Sequence, residues 1–280
     1  MEHHPNFFCI NSEFEHEVVF MLNNHLFNNK VNNLSGTSIR ISHLYDIYSD
    51  MRENFDRTDI FRLYHVDGNC LKNVSLGNLC FGHDLPVWLN DPYISDCKIM
   101  IVGYSPRRNN NEMYDLNCTI PQLSISSPFG INSPYWRNGP NGSFPRAIIE
   151  IIENAKQMCG KTISVYFTDM VKLYNAMSKV PYSPHFMKIL LNDEITLFNP
   201  DIILLMGKNV LRNFGLTNNV PYFSIQTING IIYIPIPHPS NANKKEIEEV
   251  KKRLGYINVD TQEFFVEELC KHIKEVCCRR

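Results

Sequence analysis

The sequence has no long apolar run, no basic leader followed by an apolar stretch, and no pair of cysteines at zinc-ribbon spacing. The first absence argues against a helix that crosses a membrane, which requires about 20 consecutive apolar residues. The second argues against a secretory signal. We therefore expect an intracellular, cytoplasmic protein without a membrane partner, or a nuclear one if the source is a eukaryote.

Metal-binding patterns are also missing. The nine cysteines form an odd set without a Cys-x-x-Cys pair, which argues against a zinc ribbon and against a disulfide framework. A reducing compartment is the simplest setting for such a set. His83 and Asp84 are an isolated pair, and His3 and His4 lie near the chain start. We expect no metal and no other cofactor.

Charge of one sign does not dominate, because the net charge is −2. Any DNA binding must therefore come from a local basic face. Gly207-Lys208 is not part of a Gly-x-x-x-x-Gly-Lys-Ser/Thr loop, which argues against a nucleotide-binding enzyme. On the basic helix after residue 243, lysines alternate with glutamates, so only Lys244 and Lys245 are good candidates for phosphate contacts.

The sequence does contain a regular alternation of short apolar runs with amphipathic segments from residue 97 onward. Strands are predicted at 98–102, 163–167, 201–206 and 231–235, and helices at 147–158, 187–198, 208–214, 243–254 and 263–276. Such an alternation implies right-handed crossovers and helices on both faces of the sheet. We predict an α/β three-layer sandwich with a mostly parallel, four-stranded central sheet in a domain spanning residues 96–280.

Residues 1–95 have a different pattern. Apolar residues recur at helical spacing over 18–27 and 39–51. The stretch 57–92 has scattered glycines and no sustained period, which indicates either an irregular segment or short strands. We predict a largely helical N-terminal extension that becomes loop-rich. We expect the protein to be a monomer.

Polar residues follow the predicted strands. In a parallel sheet, ligands bind outside the carboxyl ends of the strands. The blocks there are Gly103-Tyr104-Ser105-Pro106, Pro128-Phe129-Gly130, Thr168-Asp169 and His238-Pro239-Ser240-Asn241. Each block alone has a second interpretation: Phe129 could plug the sheet end, Asp169 could cap a helix, and His238 could be a solvated loop residue. Prolines on both sides of His238 favour a set ring direction.

In this order and spacing, the four blocks resemble the uracil-DNA glycosylase superfamily. The segment Phe-Asn-Pro-Asp-Ile-Ile-Leu-Leu-Met-Gly-Lys at 198–208 is similar to the third strand of that superfamily and the Gly-Lys after it. The resemblance covers about residues 97–255. It implies a monofunctional DNA N-glycosylase that binds DNA, flips a base into a pocket and hydrolyses its N-glycosidic bond without a cofactor, as in base-excision repair.

The resemblance also implies roles for single residues. Tyr104, Ser105 and His238 would be catalytic, and His238 would donate a hydrogen bond to O2 of the base, where negative charge develops in the transition state. Phe129 would stack on the flipped base and Asp169 would read its edge. The implied DNA-backbone contacts are Gly103, Pro106, Arg107, Ser240, Asn241 and Lys244.

Ser105 departs from the family pattern, which often has Asp or Asn at this position. A hydroxyl can orient water but cannot balance the cationic charge of the sugar, so either activity is reduced or Glu112 or Asp115 supplies the carboxylate. The alternative is an inactive glycosylase fold that binds nucleic acid or a protein. The iron-sulfur branches of the superfamily use four cysteines, and the cysteines here lack the paired spacings, so we predict no cluster.

Asp169 is the second departure, because the family reads the base with Asn. An ionised carboxylate only accepts hydrogen bonds and would repel O4 of uracil, whereas it suits the exocyclic amine of cytosine. A protonated Asp169 could also donate to cytosine N3. We therefore predict a substrate that is cytosine or a modified cytosine, and modified cytosines in viral DNA would fit a defence role.

Overall fold

The computed structural model describes residues 13–26, 80–84, 86–104, 122–126, 153–154, 157–158, 160–175, 184–217, 219–238 and 243–277. The helices are α1 (Glu13–Leu26), α2 (Pro184–Phe198), α3 (Lys208–Asn213), α4 (Lys244–Arg253) and α5 (Thr261–Cys277). The strands are β1 (Cys80–Asp84), β2 (Val87–Leu89), β3 (Cys97–Gly103), β4 (Gln122–Ser126), β5 (Ile163–Asp169), β6 (Leu173–Asn175), β7 (Ile202–Met206), β8 (Gln226–Ile228) and β9 (Ile231–Ile236).

The main sheet has six strands in the order β2-β5-β3-β7-β9-β8. The pairs among β5, β3, β7 and β9 are parallel, and these are the four predicted strands. Every residue of β5 and β7 is buried, as expected for strands covered on both faces. The predicted count of four was incomplete, because β2 and β8 add antiparallel edges of three residues each, too short to show an apolar period.

A second sheet has the order β4-β1-β6. β1 pairs with β4 in parallel and with β6 antiparallel. Because β5 ends at Asp169 and β6 begins at Leu173, one stretch of chain passes directly from the main sheet into the second. The second sheet therefore lies at the carboxyl edge of the main sheet, beside the strand that carries Asp169.

Aromatic rings cover one face of the main sheet. Phe14 of α1 meets Trp88 edge-on, with ring centroids 5.4 Å apart, and Phe198 of α2 lies 5.1 Å from Tyr166. All four rings are almost fully buried. Helix α1 thus contributes to the core beneath α2, while the proposed domain boundary at residue 95 stays a prediction. The second predicted helix and most of the helix predicted at 147–158 lie outside the described residues.

The opposite face carries a covalent link. Cys97, at the start of β3, forms a disulfide with Cys277, at the end of α5. Lys161 also donates a hydrogen bond to the carbonyl of Cys277. This single bond is not the disulfide framework that the sequence argued against, and it was not predicted, since two cysteines 180 residues apart give no local spacing signal. Among the described helices, none combines the length and apolar character needed to cross a membrane.

Candidate functional site

The carboxyl ends of four parallel strands meet at one edge of the main sheet. In sheet order they end at Asp169, Gly103, Met206 and Ile236. Of the predicted site residues, the structure describes Gly103, Tyr104, Asp169, His238 and Lys244. Ser105, Pro106, Arg107, Phe129, Ser240, Asn241, Glu112 and Asp115 lie outside the described residues.

Asp169 and Gly103 are direct partners across β5 and β3. A Cβ atom at position 103 would lie 2.0 Å from Oδ1 of Asp169, far inside a normal contact. Gly103 is therefore required for space at this point. Asp169 is only 5% exposed, so its carboxylate lies against the backbone of β3 rather than in open solvent.

The pairing with β3 continues past the end of β5. The amide of Met170 donates to the carbonyl of Gly103, and the amide of Val171 donates to the carbonyl of Tyr104, both at 2.9 Å. Tyr104 itself is partly buried against the core. Because β6 follows at residue 173, Asp169 does not begin a helix, and the helix-cap interpretation of its carboxylate is wrong.

A buried polar network lies beside Asp169. Tyr166 and Thr168 donate to Oε1 of Glu194 at 3.0 and 2.8 Å, and Nζ of Lys172 lies 2.7 Å from its Oε2. Lys172 also donates to the hydroxyl of Thr168. All four side chains are at most 1% exposed. Burial and the adjacent Glu194 raise the pKa of Tyr166 well above its usual value, so its hydroxyl remains a donor.

Sequence reasoning missed Glu194 and Lys172. Glu194 lies in an amphipathic helix, where an acid ordinarily faces solvent, and Lys172 follows a strand end. The only available signal was the position of Lys172, a cation within the otherwise apolar run from Met170 to Leu173.

His238 follows β9 at the same edge. Gly207, at the end of β7, has a φ of +83°, and a Cβ atom there would lie 3.5 Å from Cβ of His238. The amide of Gly207 donates to the carbonyl of Ile236 at 2.9 Å, which ties this turn to the end of β9. Pro237 is buried and His238 is partly buried. The backbone before His238 is thus fixed by a hydrogen bond from the residue that follows the neighbouring strand β7.

Two central strands lie between the strand that ends at Asp169 and the strand that precedes His238. β5 and β9 are separated by β3 and β7, which gives three strand spacings, or about 14 Å. β3 ends in Gly103 and β7 is followed directly by Gly207, so no side chain extends from either of these positions. A flat ligand could lie on this backbone floor, with a carboxylate at one end and an imidazole at the other.

Basic side chains near this edge differ in their partners. Lys208 lies 2.6 Å from Glu246 of α4, and Lys251 lies 2.9 Å from Glu248. Lys244 and Lys245 begin α4, five residues beyond the position of Pro239, and both are exposed. Burial and Glu246 raise the pKa of Tyr222, which keeps this neighbouring hydroxyl protonated.

The described part of the chain contains no group of three His, Cys, Asp or Glu residues that could hold a metal ion. A profile of the family described as Uracil DNA glycosylase superfamily matches residues 92–262. This match includes the four polar blocks and the strands from β3 to β9. A comparison with curated proteins found no match.

Proposed function

The chain belongs to the uracil DNA glycosylase superfamily, and from this we propose that it is a monofunctional DNA N-glycosylase. It would flip one base out of the DNA and hydrolyse the bond between that base and its sugar. The observation that carries the proposal is the placement of Asp169 and His238 at one sheet edge, on either side of β3, which ends in Gly103, and β7, which Gly207 follows.

The proposed chemistry assigns leaving-group stabilisation to His238. As the glycosidic bond breaks, negative charge develops on the base, and a donor at O2 stabilises this state more than the ground state. The hydrogen bond from the amide of Gly207 to the carbonyl of Ile236 would hold the backbone that carries the imidazole in place before the reaction begins. We further propose that Tyr104 and Ser105 shape the water site and that Phe129 stacks on the base.

We propose that Asp169 makes the pocket select cytosine or a modified cytosine. The carboxylate replaces an amide at the base-reading position and, when ionised, offers acceptors only. It would accept a hydrogen bond from the exocyclic amine of cytosine and would repel O4 of uracil. Because removal of ordinary cytosine would damage the host genome, a modified cytosine in foreign DNA is the substrate that fits best, and defence is the role that follows.

DNA binding would use a local face rather than net charge. Lys244 and Lys245 are exposed near the loop that carries His238, whereas Glu246 partly neutralises Lys208. With Arg107, Ser240 and Asn241, these two lysines would contact phosphates. We propose that the protein acts as a cytoplasmic monomer, or in the nucleus of a eukaryote.

Ser105 is the residue that favours an inactive binding protein as the second candidate. The first experiment therefore offers the protein duplexes that contain a single uracil, cytosine or modified cytosine, and scores abasic sites by alkaline cleavage. A His238→Ala variant is the matched control. We expect cleavage at a cytosine-type base and loss of about 10²–10³-fold in the variant. No signal from either protein would leave the binding protein as the better description, and equal signals from both would contradict the role proposed for His238. Cleavage of uracil alone would contradict the role proposed for Asp169.

A further inference from the structure

A buried ion pair lies beside Asp169 and takes no part in the chemistry proposed above. Lys172 and Glu194 lie 2.7 Å apart, and neither side chain is exposed. Removing two charges from water costs free energy that their attraction often fails to recover, so apolar replacements of such pairs are frequently neutral or stabilising. Stability alone therefore does not explain why charges occupy this position.

The pair clamps the chain on both sides of Asp169. Thr168, the residue before it, donates to Oε1 of Glu194 at 2.8 Å. Lys172, three residues after it, reaches Oε2 of the same carboxylate and also donates to Thr168. One carboxylate on α2 thus holds both ends of the short segment that carries Asp169.

The residues between Thr168 and Lys172 are fixed by hydrogen bonds to β3 and to the residue that follows it. The amides of Met170 and Val171 bind the carbonyls of Gly103 and Tyr104 on β3. With its neighbours tied to α2 and to β3, Asp169 has little freedom apart from rotation of its own side chain. That side chain lies in the space left by the missing Cβ atom of Gly103.

We propose that Glu194 and Lys172 are positioning residues for base recognition. Their ion pair fixes the turn after β5 and so sets the direction in which Asp169 presents its carboxylate to the flipped base. This inference rests on the proposed glycosylase function. Misplacement of a recognition group by about 1 Å can lower a rate about a hundredfold, so loss of the clamp should reduce discrimination between bases.

The network offers a matched pair of mild variants. Thr168→Val and Tyr166→Phe each remove one buried hydroxyl that donates to the same Oε1 of Glu194. Thr168 adjoins Asp169, whereas Tyr166 lies three residues before it. We expect Thr168→Val to narrow the ratio of kcat/KM for cytosine over uracil duplexes by at least about tenfold. Tyr166→Phe should lower stability to a similar degree and leave the ratio unchanged.

The ion pair itself is tested with a double variant. Lys172→Met combined with Glu194→Gln leaves no unpaired buried charge, which would otherwise unfold the site. We expect the double variant to lower the ratio of kcat/KM for cytosine over uracil duplexes by a factor similar to that of Thr168→Val. A ratio that stays at the wild-type value in both proteins would overturn the proposal, as would an equal change in Tyr166→Phe.

Hydrogen exchange gives a readout that does not require activity. In Thr168→Val, the amides of Met170 and Val171 should exchange faster relative to the amides of β5, and in Tyr166→Phe they should not. Unchanged protection in Thr168→Val would refute the clamp, whatever the kinetics show. If the wild type released no base, the proposed function would fail, and the exchange rates would still decide whether this network holds the segment.

Discussion

Oδ1 of Asp169 lies 2.0 Å from the point where a Cβ atom of residue 103 would be, so Asp169 and Gly103 share one space at the carboxyl edge of the sheet. The two residues are direct partners across parallel strands. Position 103 does not have a positive φ that would require glycine for conformational reasons. Glycine is therefore required at position 103 because a side chain there would occupy the space of the Asp169 carboxylate.

Gly103→Ala should displace Asp169 without straining the backbone. We expect kcat/KM to fall about a hundredfold, because the base-reading group would move by about 1 Å or more. Kinetics on the preferred duplex would measure the effect. Gly255→Ala is the matched control, since Gly255 has a φ of +87° with nothing within 4 Å. That control should lose about 1–2 kcal/mol of stability and keep its activity.

Asp169→Asn should move the preference from cytosine toward uracil. The amide has the same shape, so it fits beside Gly103, and it offers the donor for O4 that the carboxylate lacks. We expect the ratio of kcat/KM for the two bases to change by at least about tenfold, which is the value of one hydrogen bond of about 1.4 kcal/mol. An unchanged ratio, measured on the same two duplexes, would show that Asp169 does not read the base.

Lys244→Ala should weaken DNA binding without regard to sequence. If Lys244 neutralises one phosphate, the slope of log K against log salt should become less negative by about 1. Fluorescence anisotropy at several salt concentrations measures this slope. Lys252 is exposed near the other end of α4, so Lys252→Ala is the control and should leave the slope unchanged. Identical slopes for all three proteins would remove Lys244 from the interface.

Reduction of the bond between Cys97 and Cys277 should lower stability and spare activity. A long closed loop typically contributes about 2–4 kcal/mol, and the bond lies at the end of β3 opposite to Gly103. Urea unfolding with and without reductant gives the difference. Cys277→Ser should unfold at the same urea concentration under both conditions, while Cys270→Ser should retain the response to reductant. A wild type indifferent to reductant would mean that the two thiols are not joined in solution.

The parallel core and its site edge could be predicted from sequence, because short continuous apolar runs between amphipathic segments mark buried strands. Since ligands bind at the carboxyl ends of parallel strands, the sequence then predicted that Gly103, Asp169 and His238 lie at one edge of the sheet. The stretch 57–92 does contain short strands, β1 and β2, as one of its two interpretations allowed. The pairing of β1 into a second sheet was not predicted, because Cys-Phe-Gly-His-Asp carries no period and the alternation of Gln-Leu-Ser-Ile-Ser extends over only five residues.

Long-range pairings were the other gap. The contact of Glu194 with Lys172 joins a helix to the end of a strand, and nothing in either segment specifies the other. The pairing of Cys97 with Cys277 has the same character, because cysteine spacing cannot reveal connectivity. These contacts depend on how the helices pack against the sheet, and the local sequence pattern does not determine that packing.

Phe14 of α1 and most of α5 lie beyond the two ends of the family match. A protein trimmed to residues 92–262 would lose Phe14 and Trp88 from above Tyr166, and would lose the buried rings and aliphatic side chains that follow Gln262. Both faces of the sheet would then present bare hydrocarbon to water, and such surfaces bring molecules together. If that fragment is insoluble, the cause would be the loss of the side chains that pack on the sheet, and not a defect in the site at its carboxyl edge. Recombinant expression should therefore start from the full chain.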